Sequence, residues 1–407
     1  MAARRRRWLE YALTSIGSLT VLLGCLGHAL TARLTRILGR DDDCWVFGAR
    51  RGSGFVDNSR YLFEYVAEER PEVRAVWLST DPETVATVRE RGYEAYHARS
   101  LRGRWLTLRS GCVVVTHGLR DVSLALTGGA FVANLWHGVP LKTIGFDAEL
   151  GEQSWLRRRA HRFVAARNDL VVSPSPMAVH QMATGLGVPR DRVRVLPYPR
   201  YDPLVVPEAV EGGTVDADAH ERLAELRAEG RLVFYVPTFR EEGADLGERV
   251  DFAALDGLLC EQDAHLVVKP HPYERLDRAT DLDRVTVLDA VDDLSAVLPF
   301  ADVLLTDYSS AFVDHLLLDR PQVFYAPDLD EYRAERGFYY DYESLVPGPV
   351  APDDGELVTS LEEALTEDPD ASRRRALRET FLTDTGVRPS TVVFAAIRAG
   401  LDDGVVT

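Results

Sequence analysis

The stretch ADVLLTDYSSAFVDHLLL, from Ala301 to Leu318, changes its hydrophobic period part-way along. Val303, Leu304 and Leu305 make the short apolar run that a strand buried on both faces requires, and Ala311, Phe312, Leu316 and Leu317 then fall at helical spacing. A strand passing directly into a helix restricts the chain to layered α/β folds. Between the two lie Asp307, Tyr308, Ser309 and Ser310. A strand that stops at Thr306 and a helix that starts near Ser309 would aim unpaired N–H groups and the positive end of a helix dipole at one spot, which suits a phosphate. Ser309 or Ser310 serves there as N-cap or as a hydroxyl donor to an anion, and the pattern leaves both roles open. Alone, the stretch is also what an ordinary capped helix in a doubly wound sheet looks like, so a functional reading depends on its neighbours.

The same alternation runs from Cys44 onward. Strands are expected at Trp45–Gly48, Arg74–Leu78, Cys112–Thr116, Val132–Trp136, Leu170–Ser173 and Val193–Leu196, with helices at Ser59–Glu69, Glu83–Arg91, Ser154–Arg167 and Met177–Leu186. The proline-rich Tyr198–Gly213 segment reads as a hinge or linker, with a boundary near residue 205. Beyond it the alternation resumes with strands at Leu232–Val236, His265–Val268, Val285–Leu288, Val303–Leu305 and Gln322–Tyr325, and helices near Leu357–Leu365, Ala371–Phe381 and Ser390–Leu401 close the chain. The expected organisation is an N-terminal helix (1–40), a Rossmann-like domain (41–204) and a second Rossmann-like domain (205–407) whose last helix packs back on the first. Two such α/β domains facing each other put a ligand in the crevice at the carboxyl ends of their strands.

Ahead of the first strand, Arg4 to Arg7 precede an uncharged stretch from Tyr11 to Ala32, followed by Arg33, Arg36 and Arg40. The stretch is long enough to span a bilayer but is diluted by Gly17, Gly24, Gly27 and His28, and positive charge flanks both ends. A membrane-associated helix lying in the interface beside anionic lipid is expected, with a true span or a helix packed on protein as the alternatives. The formal net charge of −17 argues against a nucleic-acid partner, since nothing basic beyond the N-terminus could neutralise a run of phosphates. The four cysteines, Cys25, Cys44, Cys112 and Cys260, are scattered without zinc-site spacing and read as buried thiols in a reducing compartment.

Four segments fall where a strand runs out into a loop: NLWHGVPLK (Asn134 to Lys142), VPTFR (Val236 to Arg240), VVKPHP (Val267 to Pro272) and TDYSS (Thr306 to Ser310). Strand ends in an open α/β sheet share one rim, so His137, Arg240, Lys269, His271 and Ser309/Ser310 can converge on one cleft. Two imidazoles, two fixed cations and a helix N-terminus equip such a cleft for a diphosphate, Arg240 by its planar fork and Lys269 as a point charge. Singly, each has a structural explanation: KPHP as a proline-fixed turn, Arg240 paired with Glu241 or Glu242, Lys142 as a helix cap, Tyr308 as core. Their joint placement favours function.

These segments, with WVFGARRGSGFVDNSRYLFEYV near the start and the long run from Thr306 to Pro349, resemble the CDP-glycerol glycerophosphotransferases that build teichoic-acid-type polymers. The resemblance covers Trp45 to Pro349. It implies a GT-B fold, no catalytic metal and no cofactor, and a peripheral place on the cytoplasmic face of the membrane. It also implies a CDP-polyol donor, CDP-glycerol foremost, and a lipid-linked or polymeric polyol-phosphate acceptor. By resemblance His137 is the catalytic base and His271 serves the donor phosphate, though an acid–base swap between them fits the residues equally well. Thr238, Arg240, Lys269, Asp307, Ser309 and Ser310 match the donor side, and Gly138 and Lys142 the acceptor side. Val139 stands where the family often has Thr, so any hydroxyl contact there is lost. Two other readings use the same features: a GT-B sugar-nucleotide glycosyltransferase, and a membrane-bound polymer-binding module without turnover.

Overall fold

A computed structural model of the chain describes residues 21–148, 153–206, 217–238, 249–270, 282–289, 291–383 and 386–403. Arg240 and His271 lie outside these residues, as does part of the expected linker and the first half of the uncharged N-terminal stretch.

Two parallel sheets form the α/β framework. The first comprises β1 (Asp41–Phe47), β2 (Arg74–Ser79), β3 (Ala95–His97), β4 (Ser110–Val115), β5 (Phe131–Asn134), β6 (Leu170–Ser173) and β7 (Val193–Val195), in the order β3-β2-β1-β4-β5-β6-β7. The second comprises β8 (Arg231–Val236), β9 (Ala264–Val268), β10 (Val285–Val287), β11 (Val303–Thr306), β12 (Gln322–Tyr325) and β13 (Val350–Ala351), in the order β10-β9-β8-β11-β12-β13. Strands such as β4 (SGCVVV) and β11 (VLLT) are buried along their whole length because helices cover both faces of each sheet. The order reverses between β1 and β4, and again between β8 and β11, so each sheet has its crevice at that pair.

Three local differences from the sequence expectation have physical causes. The first strand begins earlier than the expected Trp45: the exposed Asp41–Asp43 is the start of β1, and Asp41 lies in register with Ser110 of β4. Strands β3 and β13 are too short to show a period. The segment after β7 is no loose linker: Tyr198 to Leu204 is buried and forms two short helical turns, each with a proline in its first positions. Tyr198, Tyr201 and Leu204 belong to one apolar cluster that runs from Trp45, Phe63 and Phe394 through to Phe234, Phe312 and Tyr308. The last helix, Pro389–Asp402, sits on the first lobe, where Phe394 packs 5.2 Å from Trp45 and Arg398 pairs with Asp43 at 2.8 Å.

The helix Val21–Leu38 is long and apolar enough to cross a membrane, yet one side of it is docked on the first lobe. His28 Nδ1 lies 3.2 Å from Thr127 Oγ1, Thr31 Oγ1 donates to Ala125 O at 2.8 Å, and Thr35 Oγ1 donates to Gly128 O at 3.0 Å. Gly24 and Gly27 permit the approach, since a Cβ on either would come within 2.7 Å of Leu124 or Ala125. Gly24, Gly27 and His28, which dilute the apolar stretch, are thus part of its docking face. Leu22, Leu23, Leu26, Leu30, Leu34, Ile37 and Leu38 point outward.

Just past this helix, Arg40 donates to four carbonyls: Thr107 at 3.0 Å, Ser110 at 2.5 Å, Leu126 at 3.1 Å and Gly128 at 2.7 Å. Replacing Arg40 by Ala should therefore lower stability by ~2–4 kcal/mol, read from urea denaturation midpoints, because charge-assisted bonds to half-buried carbonyls are lost together. Lys should recover only part of the loss, since one ammonium cannot serve four acceptors. An unchanged midpoint for Arg40→Ala would show that the clamp adds nothing.

Candidate active site

The first lobe's site is assembled at the carboxyl ends of β1, β4 and β5. After β5, four successive carbonyls are captured by side chains from elsewhere. Asn58 Nδ2 reaches Leu135 O at 3.4 Å and Trp136 O at 2.9 Å, Arg200 Nη1 reaches His137 O at 2.8 Å, and Tyr198 OH reaches Gly138 O at 3.1 Å. Trp136 is held at φ 55°, an uncommon conformation for a bulky residue, and this bend turns the chain so that His137 faces the cleft. His137 Nδ1 donates to Thr116 O at 3.2 Å, which leaves Nε2 as the unprotonated nitrogen of the neutral ring. Burial lowers the affinity of His137 for a proton below the ordinary imidazole value, against the pull of Asp57.

His117, at the end of β4, stacks on His137 with ring centroids 4.0 Å apart and planes 2° from parallel. Its loop is shaped by the buried Asp121, whose carboxylate accepts from Thr116 N at 2.9 Å, His117 N at 2.8 Å and Arg51 N at 2.7 Å. Burial pushes Asp121 up to about 6 while those donors act in the other direction.

The second lobe presents the turn after β11. Asp307 is buried, and its carboxylate oxygens accept from Thr238 N at 2.9 and 3.0 Å, tying the ends of β8 and β11 together. Tyr308 is core: it stacks on Tyr332 at 4.0 Å and donates to Asp328 at 2.8 Å. Ser309 Oγ accepts from Ala311 N at 3.3 Å, whereas Ser310, the residue before the short helix Ala311–His315, makes no side-chain cap. Ser310 instead faces Gly138 of the other lobe, where a Cβ would come within 2.6 Å of its Oγ.

Arg200 joins the two sides. It is buried, donates to Asp57 at 3.1 Å in the first lobe and pairs with Asp314 at 2.7 Å in the second. Burial opposes its charge, but Asp314 and Asp57 more than offset that and hold it well above the ordinary arginine range. Further contacts cross nearby: Arg50 to Asp292 at 3.1 Å, Arg60 to Asp293 at 3.4 Å, Asp57 N to Asp293 at 3.2 Å, and a β-bridge between Lys142 and Phe338.

Between the lobes lies a cavity of about 280 Å³ lined by His117, His137, Arg200, Ser309 and Ser310 among others. A second of about 190 Å³ shares His137 and Ser310 with it and extends along Gly138 to Lys142. Of the residues singled out from sequence, His137, Gly138, Lys142, Ser309 and Ser310 therefore meet. Thr238, Asp307 and the buried Lys269 sit at the second sheet's strand ends but line neither cavity. Sequence reasoning missed His117, Arg200, Asp57 and Asp314. For His117 a signal existed, since it follows an expected strand just as His137 does. Among the described residues no cluster of three or more His, Cys, Asp or Glu is arranged to hold a metal ion.

Two doubly wound lobes with a polar site between their strand ends define a protein of GT-B-like architecture. More narrowly, the chain belongs to the CDP-Glycerol:Poly(glycerophosphate) glycerophosphotransferase family, whose sequence model matches residues 30–397. It is 26% identical over 332 residues to a teichoic acid poly(glycerol phosphate) polymerase of Staphylococcus epidermidis, covering 75% of this chain and 43% of the relative. It is 32% identical over 245 residues to a teichoic acid ribitol-phosphate primase of Bacillus spizizenii, covering 59% and 62%. The matches thus span about two to three fifths of these relatives' length. A solved structure of the wall teichoic acid polymerase TagF superposes with a TM-score of 0.74 over 98% of both chains at 21% identity. A UDP-GlcNAc 2-epimerase from Methanocaldococcus jannaschii gives 0.55 over 88% of this chain and 99% of its own, at 11% identity. At such identities the likeness concerns the fold alone.

The Gly138–Ser310 approach can be tested directly. Gly138→Ala should reduce turnover at least ~10-fold and cost ~1–3 kcal/mol, because the added methyl must push the serine turn away. Adding Ser310→Ala removes the clashing hydroxyl and should restore part of the stability, read by thermal unfolding, the remainder being the cost of a Cβ at the φ of +157° that Gly138 adopts. A Gly138→Ala protein with native stability and rate would show that the two turns need no such contact.

Proposed function

We propose that this chain transfers a polyol phosphate from a CDP-linked donor, CDP-glycerol foremost, to a hydroxyl of a lipid-linked or polymeric polyol-phosphate acceptor, releasing CMP. The observation that carries the reading is the meeting of His137 from one sheet with Ser309 and Ser310 from the other across one cavity. Family membership supports it, as do relatives named for glycerol-phosphate and ribitol-phosphate polymerisation. TagF has been solved after soaking with CDPG, which supports the same donor class here.

In the proposed step, His137 Nε2 takes the proton of the acceptor hydroxyl as that oxygen forms a bond to the distal phosphorus of the donor. The bond from that phosphorus to the CMP phosphate oxygen breaks, and its electron pair leaves with CMP. Holding the hydroxyl in line supplies much of the rate. Charge on the phosphoryl oxygens and on departing CMP is met by the Ser309–Ser310 turn with Lys269, Arg240 and His271. On this reading residues 41–204 receive the acceptor and 205–407 the donor, with Gly138 and Lys142 on the acceptor side and Thr238 and Asp307 shaping the donor side.

The outward leucine face of Val21–Leu38, with Arg33 and Arg36 on the same exposed helix, suits binding in the plane of an anionic membrane surface at the cytoplasmic face, where lipid-linked acceptors would be at hand. Beside it, through the His28–Phe163 contact at 6.0 Å, runs the helix Trp155–Ala165, whose Trp155 and Leu156 are also exposed.

His137→Ala should reduce CMP release from CDP-glycerol by at least ~10²-fold without loss of fold. Because the base must be neutral and burial lowers its proton affinity, activity should fall on acidification only below the ordinary imidazole value of about 6.5. A panel of CDP-glycerol, CDP-ribitol and UDP-sugars, with products identified by mass, separates this reading from a sugar-nucleotide transferase, which would release UDP. Binding without any nucleotide release would favour the polymer-binding module. For the membrane face, the triple variant Leu26→Ser, Leu30→Ser, Ile37→Ser should weaken binding to vesicles containing phosphatidylglycerol by at least ~10-fold, or ~1.4 kcal/mol, at unchanged thermal stability. Equal sedimentation of variant and parent with those vesicles would end that part of the proposal.

A further inference from the structure

We propose that His117 is a positioning residue for the transfer: stacked on His137, it keeps water off that ring and confines the pair to a single proton, so that His137 meets the acceptor hydroxyl as a neutral base. This rests on the assignment of His137 as proton acceptor and adds a second imidazole from the same lobe.

The geometry is built rather than incidental. One residue, Thr116, orients both rings: its carbonyl accepts from His137 Nδ1 at 3.2 Å, and its Oγ1 lies 2.9 Å from His117 Nδ1. Thr116 and His117 are in turn pinned by their N–H groups to the buried Asp121. Parallel rings 4.0 Å apart cannot both carry a proton cheaply, because like charges at that distance in a partly dehydrated cleft repel strongly. Once His137 has taken the acceptor's proton, a neutral His117 offers its π face to the new cation.

The surrounding charges fit a one-proton pair. Asp57 favours protonation of either ring, while Arg50 and Arg51 disfavour it on His117, and Arg200 and Arg51 on His137. Arg50 and Arg200 are themselves held by Asp292, and by Asp57 and Asp314, respectively, and Asp293 lines the same cavity. Loss of water on the cleft side lowers the proton affinity of both rings, although His117 keeps an exposed face, and the charge of His137 lowers that of His117 further. His117 also lines the cavity itself.

The test uses the full chain. Imidazole ¹⁵N spectra recorded against pH should show one ring of the pair protonating while the other stays neutral. In His117→Ala the His137 ring should titrate at least ~0.5 unit higher as water reaches its face, and in His117→Phe, which keeps the cover without a titrating group, it should return to the parental position. With CDP-glycerol and a synthetic lipid-linked glycerol phosphate, the acid limb of kcat/KM should move with these titrations, and kcat near neutral pH should fall about 10-fold in His117→Ala with KM for CDP-glycerol within about twofold. Phe should recover most of kcat. An unmoved His137 titration in His117→Ala, or a Phe variant no better than Ala in both spectra and rate, overturns the proposal. If His137→Ala keeps parental activity, the assignment of the base fails instead, and the spectra still decide whether the stack holds one proton.

Discussion

Arg200 is the charge on which the arrangement between the lobes depends. A buried guanidinium is tolerable only when most of its donors are matched, and here the two Nη groups are shared between the lobes, Asp57 and the His137 carbonyl on one side and Asp314 on the other, while Nε has no hydrogen-bond partner. Removing one partner of such a buried pair typically costs about 3–5 kcal/mol, because the remaining charge is stranded. The same side chain that fixes the lobes also fixes the carbonyl of the histidine in the cleft. Lobe position and ring position are therefore one geometric fact, and a disturbance of either reaches the other through a single residue. The rim contacts are different in kind. Arg50 and Asp292 keep 37% and 64% of their side-chain surface exposed, and pairs of that sort contribute about 0–1 kcal/mol. The relative setting of the lobes is thus decided at Arg200, at the equally buried Arg60–Asp293 pair and in the apolar cluster around Tyr198 and Tyr201, with the exposed Arg50–Asp292 contact adding little.

Unusual backbone gathers at the same place. Arg50, Arg51, Asp57 and Trp136 all have positive φ, at 45°, 57°, 64° and 55°. Each lies at or just beyond the carboxyl end of β1 or β5, at the rim where a doubly wound sheet opens its crevice. Such conformations cost roughly 1–3 kcal/mol apiece and persist only where the surroundings over-determine them. The surroundings are visible: Asp121 holds Arg51 N, Asp293 holds Asp57 N, and Asn58 holds the Trp136 carbonyl. Positive φ also occurs away from the cleft, at Asp263, Asp319 and Asp368, but those are aspartates, which tolerate the left-handed region better than an arginine or a tryptophan.

Much of this was readable beforehand because buried parallel strands announce themselves as unbroken apolar runs, and because the rule that ligands sit at strand carboxyl ends needs only the strands to be known. That rule brings His137 and Ser310 into one cleft although they lie far apart in the chain. It could not supply Arg200, whose importance arises from three partners, each remote in sequence, and whose neighbours Pro199 and Pro203 mark the segment as a turn. Nor could it separate Asp307 from Ser310: both stand in one turn, and only coordinates reveal that the carboxylate faces back onto Thr238 while the hydroxyl faces the other lobe. The two sides of the N-terminal helix were not separable from sequence for a similar reason. Glycine, threonine and histidine within an apolar run look like dilution, whereas in space they form the side that meets the 124–128 loop.

That helix also bears on how the chain would meet the lipid-linked acceptor proposed for it. A spanning helix gives up its entire circumference to lipid, and its hydrogen-bonding side chains then need partners inside the bilayer. Here the one hydroxyl proton of Thr31, and likewise that of Thr35, lies within reach of a carbonyl of its own helix and of a carbonyl of the lobe, and Arg109 ties the helix end by donating to Gly39 O at 2.6 Å, so the polar side is already satisfied by protein. Pulling the helix into a bilayer would break those bonds and expose the carbonyls they cover, a loss repeated at each residue of the docking face. On the proposed membrane-surface reading, lying flat would keep them intact while the leucines entered lipid. The docked face and the leucine face are opposite sides of one helix, and under the proposed membrane binding that division, rather than total hydrophobicity, would set how far the chain sinks.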